Sequence, residues 1–146
     1  MSLILFRGKR IDNGEWVEGW LMKYEYHKMY IHCYYPCPVA LWKQHEIQTE
    51  TIGQFTGLTD KMLVKIFEGD ILKYTKHPGY SMKSCLMTIC FDRNRACFGY
   101  QSTDSIHPDY IHPFSDHDEL DYDVLNHCKI IGNIHDNPEL IIAAKP

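Results

Sequence analysis

The segment Glu15–Tyr24 limits the fold more than any other, because its side chains alternate with the period of a β-strand. Trp16, Glu18, Trp20, Met22 and Tyr24 fall on one face, and Val17, Gly19, Leu21 and Lys23 on the other. Both faces carry apolar bulk, so such a strand needs a core on one side and a cover on the other. Met29–Tyr35, a second aromatic and β-branched run, follows across Tyr24-Glu25-Tyr26-His27-Lys28 and reads as its hairpin partner. Cys85, Met87, Ile89 and Phe91 alternate in the same way, and Ala96, Phe98 and Tyr100 repeat the pattern after Asp92-Arg93-Asn94-Arg95, which predicts a second hairpin. Between the two, Glu68-Gly69-Asp70 is a turn signal leading into a strand at Ile71-Leu72-Lys73-Tyr74, which His77-Pro78-Gly79 ends.

Helix signals are scarce. Asn137 before Pro138 is a start signal for a turn or two of helix. Ser115 to His127 is the other candidate, with acidic residues early and Leu120, Val124 and Leu125 as its apolar face. His107 to Pro113 reads as an irregular loop. A chain of 146 residues matches a single domain spanning 1–146, and 45% hydrophobic with 23% charged residues excludes wholesale disorder.

The net charge of −4 argues against a strongly basic nucleic-acid binder, but its distribution is uneven. Residues 61–95 carry 7 basic and 3 acidic groups, whereas residues 96–146 carry 2 and 9. A basic middle and an acidic end suit a mixed solvated surface, attraction within or between subunits, or contact with separate partners. Six cysteines without a secretory leader pattern point to reduced thiols in the cytoplasm, and no apolar run approaches the roughly 18 residues of a membrane span. No membrane partner is expected.

Four segments together resemble a known family. They are Phe6-Arg7-Gly8 running to Val17, Thr51-Ile52-Gly53-Gln54-Phe55-Thr56-Gly57-Leu58, Phe67-Glu68-Gly69-Asp70 running to Tyr74, and Ile130 to Leu140 with Gly132, Asn133, Asn137 and Pro138. In this order and spacing they resemble the YopX-like family, encoded largely by bacteriophages and prophages. The resemblance implies an all-β, barrel-containing protein that tends to self-associate, and it implies no established biochemical activity. One departure stands out: after Gly57-Leu58 the family usually shows an Asp-Lys-Asn-Gly type of turn, whereas here Asp60-Lys61 runs into Met62-Leu63-Val64, residues poorly suited to positive φ. The shared residues Phe6, Arg7, Gly8, Gly53, Gln54, Thr56, Gly57, Glu68, Gly69, Asp70, Gly132, Asn133, Asn137 and Pro138 read as structural, the glycines serving turns or close approaches.

Enzyme motifs fail one by one. No Gly-x-Ser-x-Gly, phosphate loop or Gly-x-Gly-x-x-Gly occurs, His45-Glu46 lacks the second histidine of a zinc-protease motif, and Asp121-x-Asp123 lacks the glycine of a calcium loop. His107, His112 and His117 recur every fifth residue, a spacing that aligns on neither helix nor strand, so a divalent metal would need a loop to gather them. Cys33 and Cys37, roughly 13 Å apart if extended, read as buried thiols. Neither a catalytic residue, a metal site nor a cofactor is expected.

The expected fold is therefore mainly β: a compact antiparallel domain containing a small barrel, SH3-like or related, with minor helical segments. The expected function is non-catalytic, exercised by a homo-oligomer of the bacterial host cytoplasm on an unidentified host or phage macromolecule. Trp16, Trp20, Met22 and Tyr24 supply the surface for association. The alternative is a nucleic-acid-binding barrel that uses the basic stretch, with Lys73, Lys76, Lys83, Arg93 and Arg95 as contacts beside aromatic residues. A lesser alternative has the acids between Asp104 and Asp123 imitating a phosphate backbone.

Overall fold

A computed structural model describes residues 4–24, 28–35, 41–75, 84–103, 105, 107, 109–114 and 127–142. The chain is mainly β and divides into two compact units, Met1–Gly57 and Leu58–Pro146.

The first unit holds β1 (Phe6–Lys9), β2 (Trp16–Lys23), β3 (Met29–Tyr35), β4 (Leu41–Glu46) and the start of β5 (Gly53–Thr59), in the antiparallel order β4-β3-β2-β1-β5. The predicted hairpin is β2–β3, with Trp20 opposite His32 and Met22 opposite Tyr30. Ile31, Cys33 and Ile47 form the buried centre, against which Phe6, Val17, Leu21, Met29 and Ile52 pack. Gly19 shares this face with Val17 and Leu21 and has no room for a side chain, since a Cβ there would stand 2.1 Å from the His32 carbonyl oxygen. A 3₁₀ turn at Thr49–Thr51 is tied to the sheet by Thr51, whose hydroxyl accepts from the Lys9 N–H and donates to the Gln48 carbonyl.

The second unit contains β6 (Lys65–Phe67), β7 (Asp70–Tyr74), β8 (Cys85–Asp92), β9 (Cys97–Ser102), β10 (His112–Pro113), β11 (Cys128–Asn133) and a short helix α1 (Pro138–Ile142). Its five-stranded sheet has the order β10-β9-β8-β7-β11. Ile66, Leu72, Tyr74, Cys85, Met87, Ile89, Tyr100 and Cys128 make the core, so the alternation read for β8 does mark its buried side. Phe91 continues that side beyond the core, is 37% exposed, and packs edge-on to Phe98. β11 carries one extra residue where its register with β7 shifts between Ile130 and Gly132, a β-bulge.

Three expectations change. Among the described residues neither sheet closes into a barrel: sheet order runs from edge to edge in each unit. Ala96 does not open β9 but sits in the turn at φ 54°, because the buried Asp92 accepts from the Asn94 and Arg95 N–H groups and organises the turn around itself. His112–Pro113, within the expected loop, pairs with Tyr100 and Gly99 as an edge strand. The helix expected from Ser115 lies outside the described residues, as do His77-Pro78-Gly79, Cys37 and His117.

Candidate interaction surface

Register decides what faces solvent on the first unit. With Val17, Gly19 and Leu21 turned to the core, alternation sends Trp16, Glu18, Trp20 and Met22 outward, and Tyr24 continues the row. Trp20, Met22 and Tyr24 are 48%, 46% and 45% exposed. Antiparallel pairing then places His32 and Tyr30 beside them. Tyr24 stacks on His32 at 6.0 Å, its hydroxyl 3.1 Å from His32 Nε2, and meets Tyr30 edge-on at 5.2 Å. Glu46 closes the margin of this patch on β4, accepting from the Lys28 ammonium and the Tyr30 hydroxyl.

At the other margin, Trp16 lies opposite Lys9 in the sheet, with the Arg7 guanidinium 4.9 Å and the Lys9 ammonium 5.6 Å from its ring centroid. These cation–π contacts cover part of the tryptophan's face. The surface is thus the outer face of the sheet, aromatic at its centre and mixed in charge at its edges. Exposed aromatic side chains with few rotamers are well suited to macromolecular contact, since fixing them on binding loses little entropy. Sequence periodicity identified the β2 members; Tyr30, His32, Arg7 and Lys9 join them only through register.

The shared family residues occupy turns and close approaches. Gly8 lies against Ile47, where a Cβ would stand 2.8 Å from Ile47 Cδ1, and Phe6 and Arg7 pair with Gln54 and Gly53. Gly57 and Gly69 have φ of 87° and 85°. Asp70, 1% exposed, turns its carboxylate back to accept from the Phe67 N–H at 2.8 Å across the Glu68-Gly69 turn. Asn133 accepts from the N–H groups of His135 and Asp136, and the Asn137 carboxamide fills the space a Gly132 side chain would need. Pro138 opens α1, as the start signal predicts. Thr56 lies on β5.

The proposed nucleic-acid contacts are spread out. Lys73 and Arg93 are exposed, and Lys76 and Lys83 lie outside the described residues. Arg95 is committed: it donates to Asp92 Oδ2 at 2.6 Å and to the Ile111 carbonyl at 2.7 Å, with its guanidinium over Tyr110. Burial opposes the Asp92 charge, but Arg95 and the Asn94 and Arg95 N–H groups outweigh it and lower its pKa. His112 stacks on Tyr100 at 5.1 Å, and among the described residues no His, Cys, Asp and Glu group is arranged to hold a metal ion. His45 is pushed below its ordinary pKa by burial and by Arg10. Cys33, Cys85 and Cys128 are buried free thiols. Among the described residues, no helix is long and apolar enough to cross a membrane.

The model of the family described as YopX protein matches residues 5–142. Among solved structures, the chain is similar to protein EF1440 from Enterococcus faecalis, with 28% sequence identity and a TM-score of 0.54, over 96% of this chain and 99% of that one. No curated protein matches.

Proposed function

The chain belongs to the YopX family, and on that premise we propose that it is a non-catalytic, phage- or prophage-encoded protein of the bacterial cytoplasm that associates with itself through the outer face of β2 and β3. The observation that carries this reading is the exposure of Trp20, Met22 and Tyr24 in one row on a sheet face whose opposite side is already the core. Water excluded from such a row is a driving force for association that a monomer leaves unused. A two-fold pairing of this face would set each aromatic row against its own copy.

Light scattering on the purified protein at micromolar concentration tests it. The expected result is an oligomer that Trp20→Glu dissociates to a monomer with unchanged far-UV circular dichroism, because Trp20 is exposed in the single chain. The Tm of that variant no longer rises with protein concentration. A monomeric wild type overturns the proposal. The second reading, single-stranded nucleic-acid binding, is favoured by the exposure of Lys61, Lys65, Lys73 and Arg93. It predicts salt-dependent fluorescence anisotropy with labelled single strands that falls on Lys73→Ala and Arg93→Ala, and no binding at low salt removes it.

A further inference from the structure

The loop Asp60-Lys61-Met62-Leu63-Val64 in front of β6 combines two properties that ordinary connections avoid. Met62, Leu63 and Val64 are 63%, 82% and 52% exposed, and Leu63 has φ 62°, in the left-handed region. A branched apolar residue there is strained, and its side chain recovers nothing through burial. The conformation persists because the buried Asp60 imposes it. One carboxylate oxygen accepts from the Met62 and Val64 N–H groups at 2.8 and 3.0 Å, and the other from the Ile130 N–H at 3.1 Å. The backbone closes the loop again through Asp60 N–H to the Val64 carbonyl, Leu63 N–H to the Asp60 carbonyl and Lys61 N–H to the Cys128 carbonyl. A rigid tip therefore holds three apolar side chains in water, and strain kept by its surroundings is a pointer to use.

Lys61 and Lys65 flank the tip, both exposed, and Lys129 adjoins the Ile130 N–H that anchors it. The only carboxylate inside the loop, Asp60, is buried and occupied by N–H groups. The tip is thus apolar with a cationic collar. We infer that the Met62-Leu63-Val64 tip is a membrane-docking element that inserts into the interfacial layer of an anionic lipid surface, with Lys61 and Lys65 on the headgroups. Area favours lipid over a folded partner, because three side chains on a narrow loop present well under the ~800 Å² per partner that a standard protein interface buries. A lipid surface sets no such threshold, since each inserted side chain and each lysine contributes separately.

Co-sedimentation with vesicles tests this, using phosphatidylcholine alone and phosphatidylcholine with about a third phosphatidylglycerol. The decisive variant is Leu63→Asn, which tolerates positive φ and keeps the loop while removing the apolar side chain. The wild type is expected to sediment with anionic and not with neutral vesicles. Leu63→Asn should weaken that partition roughly tenfold with Tm unchanged or raised, and Lys61→Glu should weaken it too. Failure of the wild type to bind anionic vesicles at low salt overturns the inference and leaves the tip to a protein partner. Equal binding by wild type and Leu63→Asn also overturns it, because the attraction would then be charge alone. The oligomeric state does not enter either outcome.

Discussion

Replacing Asp60 by Asn probes the loop at the atom that organises it. Asp60 is 3% exposed, and its two oxygens accept three backbone N–H groups. Asparagine keeps the shape but has one acceptor oxygen. Whichever way it turns, its NH₂ faces an N–H donor: Ile130 in one orientation, Met62 and Val64 in the other. A hydrogen bond to a charged group contributes about 1.5–3 kcal/mol, so losing one and weakening the rest costs about 3 kcal/mol. At ~2–4 °C per kcal/mol for a chain of this size, Tm falls by roughly 10 °C. Burial raises the Asp60 pKa, but the N–H groups of Ile130, Val64 and Met62 and the charge of Lys129 outweigh it, so the folded value lies below the ordinary one. The stabilisation is therefore fully present above the unfolded carboxylate value of about 3.9 and disappears as pH falls through the folded value. Denaturant melts of both proteins at neutral and acid pH, with hydrogen exchange at the Met62, Val64 and Ile130 amides, measure this. A variant within about 0.5 kcal/mol of wild type at neutral pH, or a difference that persists unchanged in strong acid, refutes the reasoning.

Gly19→Ala places a Cβ 2.1 Å from the His32 carbonyl, a backbone atom that cannot step aside, and should destabilise the first unit by about 3 kcal/mol in a denaturant melt; a neutral effect would mean that β2 and β3 pair differently. Tyr74 is 1% exposed and its hydroxyl has no partner among the described residues, so Tyr74→Phe should be neutral or add up to about 1 kcal/mol by the same assay, and a clear loss would reveal a bond to that hydroxyl. Burial first, then Cys85, pushes the Cys128 thiol up to about 12, and burial with Glu68 and Asp92 pushes Cys90 up to about 11. Iodoacetamide at mildly alkaline pH should label both slowly in the native protein, the half-buried Cys90 ahead of the buried Cys128, and rapidly in denaturant, as peptide mass mapping would report; native labelling as fast as in denaturant would contradict the raised thiol pKa values.

Much of the local architecture was legible. Period-two alternation marked β2, β3, β8 and the later part of β9, the turn signal at Glu68-Gly69-Asp70 marked the entry to β7, and Asn137-Pro138 marked α1. The four shared segments gave the family, which the match over residues 5–142 bears out. Gly53 and Gly57 around Gln54-Phe55-Thr56 marked a strand end within β5, whereas β4 is not legible, because Lys43 and Gln44 interrupt its apolar pattern and only pairing with β3 makes it a strand. The poor fit of Met62 to Val64 to a tight turn was visible, but which residue takes positive φ was not, since that depends on Asp60 reaching Ile130 far along the chain.

The candidate surface divides along the same line. By itself the sequence determined that Trp16, Trp20, Met22 and Tyr24 share a side, because alternation is a property of one strand's backbone geometry. Which side meets the core, which cations lie over Trp16, and which residues of β3 extend the aromatic row were decided by register between neighbouring strands. Register is settled by the summed burial of whole faces and by close approaches such as Gly19 against His32, quantities that exist only once the strands have paired.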